Sequence, residues 1–212
     1  MGLYQRYLAP RVVDLACSPA ALASWRRRVV EDLEGVVVEV GFGTGRNLRY
    51  YPTSVSEVVA VEPSSVMRRR AASTVAASPV PVRWGDLDGQ ALSLPDASCD
   101  AGVITFALCT IADPLQALFE LRRVVKPGGR LRVLEHGHAP DESVARWQRR
   151  LEPLERRFAD GCHLTRDPVA LLNEAGWTID ECYQAYVKGP KPWCYFTSLR
   201  AHSASPSPSL NA

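Results

Sequence analysis

Short runs in which nearly every position is apolar recur along the middle of the chain: VVVEV at Val36 to Val40, VVAVE at Val58 to Glu62, Val80 to Trp84, Ala101 to Phe106 and Arg130 to Glu135. Runs of this length with no polar alternation are buried on both faces, as strands of a parallel sheet are. The segments between them switch to helical spacing. Pro63 and Ser64 open a helix through Val66 to Ala77, and Pro114 to Val125 places Leu115, Leu118, Leu121, Val124 and Val125 on one stripe before KPGG stops it. GFGTG follows the first strand directly, and the polar run RNLRYY after it predicts a helix, giving strand, glycine turn, helix.

Outside this core the pattern loosens. Residues from Leu3 to about Leu33 read as helical with a break near Ser18 and Pro19, and are expected to lie over the strand ends as a cap. A helix carrying Trp147, Leu151, Leu154 and Phe158 on one stripe is expected to pack on the core or close over the cleft, with Pro153 interrupting and kinking it. Asp167 to Ala175 reads as a short helix ending at Gly176, and Ile179 to Val187 and Cys194 to Ala201 pair as an antiparallel edge hairpin. The predicted fold is α/β: a Rossmann-like doubly wound sheet of about seven strands, mostly parallel, with helices on both faces. One domain covers 1–201, divided into a cap (1–33), a cofactor-binding core (34–137) and substrate-side helices and edge strands (138–201). The Ser/Pro-rich residues 202–212 are expected to be a disordered tail.

Composition narrows the function. Lys and Arg total 25 against 23 Asp and Glu, a net charge of +2, which does not favour nucleic acid as a partner. No run approaches the roughly 20 apolar residues of a membrane span, so stable membrane insertion is not expected and the location reads as cytoplasmic. The 6 cysteines are scattered without a C-x-x-C pair, as in reduced cytosolic proteins.

Candidate chemistry begins at the first glycine turn. Gly41, Gly43 and Gly45 are spaced G-x-G-x-G, and Arg46 stands where a dinucleotide fingerprint has its third glycine. Glu62 ends the second strand, where a carboxylate can accept from both hydroxyls of a ribose. Glu39 adds negative charge in the mouth of the first strand, suiting an ammonium or sulfonium and opposing a pyrophosphate. A cationic nucleoside without phosphate describes S-adenosylmethionine.

Four pieces of the chain in order, VVVEVGFGTG, VAVEPS, DGQALSLPDASCD and LRRVVKPGGRLRVLEHG, resemble the class I S-adenosylmethionine-dependent methyltransferases, in the branch of the ubiquinone/menaquinone-biosynthesis enzymes. The resemblance implies a cofactor site made by Glu39, Gly41, Phe42, Gly43, Gly45, Asn47, Glu62, Pro63, Asp88, Gly89, Thr105 and Phe106. Glu62 would hold the ribose, Asp88 the adenine amino group, with Asp86 the alternative, and Thr105 and Phe106 would flank the methionine part. FALCTIADP, the EHG at Glu135 to Gly137 and RFADGCHLTRD resemble, more narrowly, relatives of animal alkyl-thiol S-methyltransferases.

The resemblance implies transfer of a methyl group to a small apolar or aromatic acceptor, a thiol or a phenol or heterocycle. His136, just past a strand end, and His163 are the candidate catalytic residues, to remove or steer the acceptor's proton. His136, His138, Cys162 and His163 lack the separated ligand pairs of structural zinc motifs, and no metal is expected. Two other readings stand beside this one: an NAD-dependent oxidoreductase, and a module that binds S-adenosylmethionine without catalysis.

Overall fold

The strands are β1 (Gly35–Val40), β2 (Val55–Val61), β3 (Val82–Trp84), β4 (Cys99–Thr105), β5 (Val125–His136), β6 (Trp177–Tyr186) and β7 (Tyr195–Ser203). In the computed structural model, which describes residues 22–204, they form one sheet in the order β3, β2, β1, β4, β5, β7, β6. The first five are parallel, while β7 runs antiparallel to β5 and to β6. This is the predicted doubly wound sheet with its antiparallel hairpin. The hairpin lies at one edge, and β6 is mostly exposed as an edge strand.

Period-two alternation splits the apolar strand residues into two cores. Val38, Val40, Val59, Val61, Ile104 and Val133 pack with Leu118 and Leu121 of α3 (Pro114–Val124) and Leu172 of α5 (Pro168–Glu174). On the other face Val37, Val58, Ala60, Val103 and Leu134 pack with Val29 and Val30 of α1 (Ala23–Val30) and Ala71 of α2 (Ser65–Ala76). Both α2 and α3 start where the sequence predicted. Ser64 caps α2 by accepting from the Met67 amide, and Asp113 caps α3 by accepting from Gln116.

The structure corrects several expectations. GFGTG is followed by turns and a single 3-10 turn, Leu48–Tyr50, rather than an α-helix. Asn47, Leu48 and Tyr51 are drawn inward and buried, and Pro52 ends the run. Pro153 does not interrupt α4 (Glu142–Phe158), which continues through it. Most of the apolar stripe of α4 does not face inward: Trp147 is 55% exposed, Leu154 55% and Phe158 49%, while Leu151 packs against Cys109, Cys162 and Leu164. The buried face is instead Val144, Ala145 and Gln148. Gln148 accepts from the Ala139 amide at 2.9 Å and donates to the carbonyls of Gly137 and Pro192 at 2.8 and 3.0 Å, which fastens the helix to the end of β5.

His202 and Ser203, expected in the tail, belong to β7, where Ser203 donates to the Lys126 carbonyl. Of the predicted cap, residues 22–33 fall within the described residues, and α1 packs on one face of the sheet with Arg26 reaching the strand ends. Residues 1–21 of the cap and residues 205–212 lie outside the described residues. A buried Arg132 of β5 pairs with Asp32, just after α1, at 2.8 Å and ties the helix to the sheet.

Candidate active site

The chain leaves β1 toward β2 and later returns to β4 on the other side of β1, so the strand order reverses between β1 and β4. Ligand crevices open beyond the carboxyl ends of strands at such a reversal. A cavity lies there, walled by Gly41, Phe42 and Gly43 from the β1 turn and by Glu62 and Pro63 after β2. Thr105 and Phe106 close it from the end of β4. The structure thus brings together seven of the predicted cofactor residues.

Two glycines show why the turn needs them. Gly41 has φ +77°, and a Cβ there would stand 2.2 Å from the Cβ of Ala107. Gly43 has φ +59° with open space where its side chain would be, so backbone is what faces the cavity. Glu62 fixes this turn: one carboxylate oxygen accepts from the Gly43 amide and the other from the Ser64 amide, both at 2.8 Å. Burial raises the Glu62 pKa against the opposing pull of those two amides. Each oxygen keeps a lone pair beyond its amide contact. A buried carboxylate in a cavity wall with spare acceptor capacity fits the ribose of S-adenosylmethionine.

Glu39 and Asn47 are placed differently from expectation. Neither lines the cavity; both are buried beneath the loop. Glu39 accepts from Asn47 Nδ2 at 2.9 Å and from the Tyr51 hydroxyl at 2.7 Å. Asn47 in turn donates to Thr105 at 3.0 Å and accepts from Arg26 at 2.9 Å. Burial lifts the Glu39 pKa to about 7 despite those hydrogen bonds and the nearby Arg26 charge. Both oxygens of this first-strand carboxylate are thus engaged beneath the loop by Asn47 and Tyr51. Gly45 is also outside the wall, packed on Phe42 and Leu48.

Asp88 and Gly89 do not line the cavity either. Asp88 is exposed and accepts from the amide and side chain of Gln90, both at 2.9 Å, while Asp86 is engaged by Ser93. Gly89 is buried against Val40.

The two candidate catalytic histidines also lie off the wall. His163 Nδ1 meets Glu152 at 3.0 Å. His136 Nε2 meets Cys162 Sγ at 3.3 Å, behind the loop that carries Thr110 and beside the one that carries Asp160, both of which do line the cavity. Hydrogen bonding from Cys109, with His136 beside it, lowers the Cys162 pKa; burial would lower that of His136, but Cys162 and Glu135 raise it instead.

Sequence reasoning missed Arg26, Arg46, Thr110 and Asp160 as wall residues. Arg26 was findable: it falls at helical spacing with Val29, Val30 and Leu33, so a guanidinium stands on the buried face of α1. It donates to Thr105 at 3.2 Å and lies 5.2 Å from the centre of the Phe106 ring. Phe106 itself has φ +53°, a conformation that is strained for a bulky side chain and that concentrates at functional sites.

Residues 38–133 match the family model described as a methyltransferase domain. With the strand order and the crevice at its reversal, the matched stretch is similar to methyltransferase domains, and the fold is the Rossmann-like one. Among curated relatives, the thiol S-methyltransferase TMT1B of Rattus norvegicus is 36% identical over 150 residues, covering 65% of this chain and 60% of its own length. The demethylmenaquinone methyltransferase of Paenarthrobacter aurescens is 34% identical over 142 residues, covering 62% of this chain and 53% of its own. The chain therefore spans less than two thirds of either relative. Among solved structures, a Bacillus halodurans methyltransferase shares the fold at TM-score 0.69 and 14% identity, covering 88% of this chain and 100% of that one. No helix among the described residues is long and apolar enough to cross a membrane.

Proposed function

We propose that the protein transfers the methyl group of S-adenosylmethionine to the sulfur of a small, largely apolar thiol. The observation that carries this reading is the cavity at the strand reversal, with bare backbone and Glu62 on one side and Met67, Phe106 and Ile111 as apolar wall. The 36% identity to a thiol S-methyltransferase supports sulfur over carbon as acceptor.

When bound, S-adenosylmethionine supplies an electrophilic methyl group on a sulfonium. Glu62 would accept from the ribose hydroxyls, and the Gly41 to Gly43 backbone would let the nucleoside approach. Arg26, held against Thr105 and Phe106, is placed to pair with the carboxylate of the methionine part. Phe106 and Ile111 would exclude water and align the acceptor. Alignment alone can supply on the order of 7 to 11 kcal/mol toward such a displacement. A thiol with a pKa of about 8.5 is partly ionised near neutrality and needs little help to lose its proton. Asp160, at the rim of the cavity, is better placed to receive it than His136 or His163.

A labelled-methyl assay across thiols, phenols, quinols and amines tests the reading, with apolar thiols expected to be methylated most efficiently. Exclusive labelling of phenols or quinols would overturn the sulfur assignment. Calorimetry with S-adenosylhomocysteine and NAD separates the dehydrogenase alternative: NAD binding with no response to the homocysteine compound would end the methyltransferase reading. Cofactor binding with no labelled product would favour the non-catalytic module.

A further inference from the structure

Cys109, His136 and Cys162 are distant in sequence, yet one ligand atom from each lies within 4.8 Å of the others. Cys109 sits on the loop after β4, His136 ends the neighbouring strand β5, and Cys162 follows the loop at the end of α4. Both cysteines are buried, at 3% and 7% exposure, and pack with Leu164. The metal grouping weighed from the sequence is not what the fold assembles: His138 is exposed, and His163 is held by Glu152. Cys109 takes the place of both.

From this cluster we infer that Cys109, His136 and Cys162 bind a zinc ion. Two thiolates and an imidazole are the ligand types this cation prefers. With Zn–S of about 2.3 Å and Zn–N of about 2.0 Å, ligand atoms around a tetrahedral ion stand roughly 3.5 Å apart. The 3.3 Å between Cys162 Sγ and His136 Nε2 is already close to that, and Cys109 has about an ångström or less to move.

One further observation points to a cation. Glu135 is fully buried beside the cluster, its carboxylate 3.8 Å from His136 Nε2 and accepting from the amides of Cys109 and His136. A divalent ion would balance the two thiolates, and Glu135 is near enough to complete the fourth position directly or through a water. Bound there, the ion would tie the loop bearing Thr110 to the loop bearing Asp160, both of which contribute to the cavity wall.

The test is metal uptake by the full chain, measured without reference to activity. Zinc added to reduced protein, followed by removal of excess and elemental analysis, should leave about one equivalent bound. Cobalt in place of zinc should give a thiolate-to-metal charge-transfer band in the near ultraviolet. Cys109→Ala and Cys162→Ala should each lose at least tenfold in zinc affinity, while Cys182→Ala, an exposed thiol outside the cluster, should not. S-adenosylhomocysteine binding by the variants reports that the fold survives, and the cobalt spectrum of the unmodified chain needs no variant. No uptake by the unmodified chain, a cobalt complex without thiolate bands, or full affinity in Cys109→Ala and Cys162→Ala would each overturn the assignment. Methyl transfer to a thiol by protein that takes up no zinc would sink this inference and leave the proposed reaction standing.

Discussion

Glu62 and Gly43 are joined within the cavity wall by a 2.8 Å hydrogen bond, the amide donating to the carboxylate, and the second oxygen of Glu62 accepts from the Ser64 amide at the same distance. One buried side chain thus sets both the glycine turn and the first residues of α2. Replacing it by Ala removes two charged hydrogen bonds and any contact with a ribose. Glu62→Ala is expected to weaken S-adenosylhomocysteine binding by at least about 1.5 to 3 kcal/mol. Calorimetry checks it, and an unchanged affinity would remove Glu62 from the cofactor site.

Gly41 tests how tightly the turn is packed against the loop after β4. Gly41→Ala puts a methyl group 2.2 Å from the Ala107 Cβ and forces an L side chain to φ +77°. Both melting temperature and cofactor affinity should fall, the latter by roughly tenfold or more, equal to about 1.4 kcal/mol. Adding Ala107→Gly relieves the collision and leaves the backbone strain, so it should restore part of the loss. Full restoration would show that the backbone conformation carries no cost.

The pH dependence of stability should carry the signature of Glu39. Its pKa is raised from 4.5 to about 7 in the folded protein, so between those values the native state holds a proton that the unfolded chain releases. Stability then falls as pH rises through this window and levels off above it, a contribution of about 3 kcal/mol at most. Glu39→Gln, which keeps one oxygen to accept from Asn47 and donates its NH2 to the Tyr51 hydroxyl oxygen instead of accepting from it, removes the charge and should flatten the profile from pH 4.5 to 7. Urea unfolding at several pH values measures this, and parallel profiles for the two proteins would contradict it.

Gln148 should be among the costliest polar residues to remove. Gln148→Ala leaves the Ala139 amide and the Gly137 and Pro192 carbonyls without their partner. Each buried unsatisfied group costs about 1 to 3 kcal/mol, so a destabilisation of roughly 2 to 4 kcal/mol is expected after partial relaxation. Denaturant unfolding reads it directly.

What was legible in the sequence was whatever burial writes locally. The central strands carry long apolar runs because both faces are covered there, and Ser64, Asp113 and Asp167 mark helix starts by accepting backbone amides. Gly41, Gly43 and Glu62 were readable because a turn needing positive φ and an acid ending the next strand must meet in a doubly wound sheet. The RNLRYY run misled because Asn47 and Tyr51 are polar residues spent on a buried carboxylate, which polarity alone reads as surface. The stripe of α4 misled in the opposite sense: Gln148 is inside and Trp147 outside, since three well-made hydrogen bonds can outweigh an indole's preference for burial. The cluster of Cys109, His136 and Cys162 was hidden by separation along the chain. Recognising that β4 and β5 are neighbours would have brought the first two together.

The reversal of strand order also divides labour along the polypeptide. Residues up to Met67 supply the glycine turn and Glu62, whereas Phe106, Thr110, Ile111 and Asp160 arrive from later segments. On the proposed reading, substitutions at Thr110, Ile111 or Asp160, which make no contact with Glu62 or Gly43 of the kind that fixes the turn, would retune which molecule is accepted more than they would loosen the nucleoside.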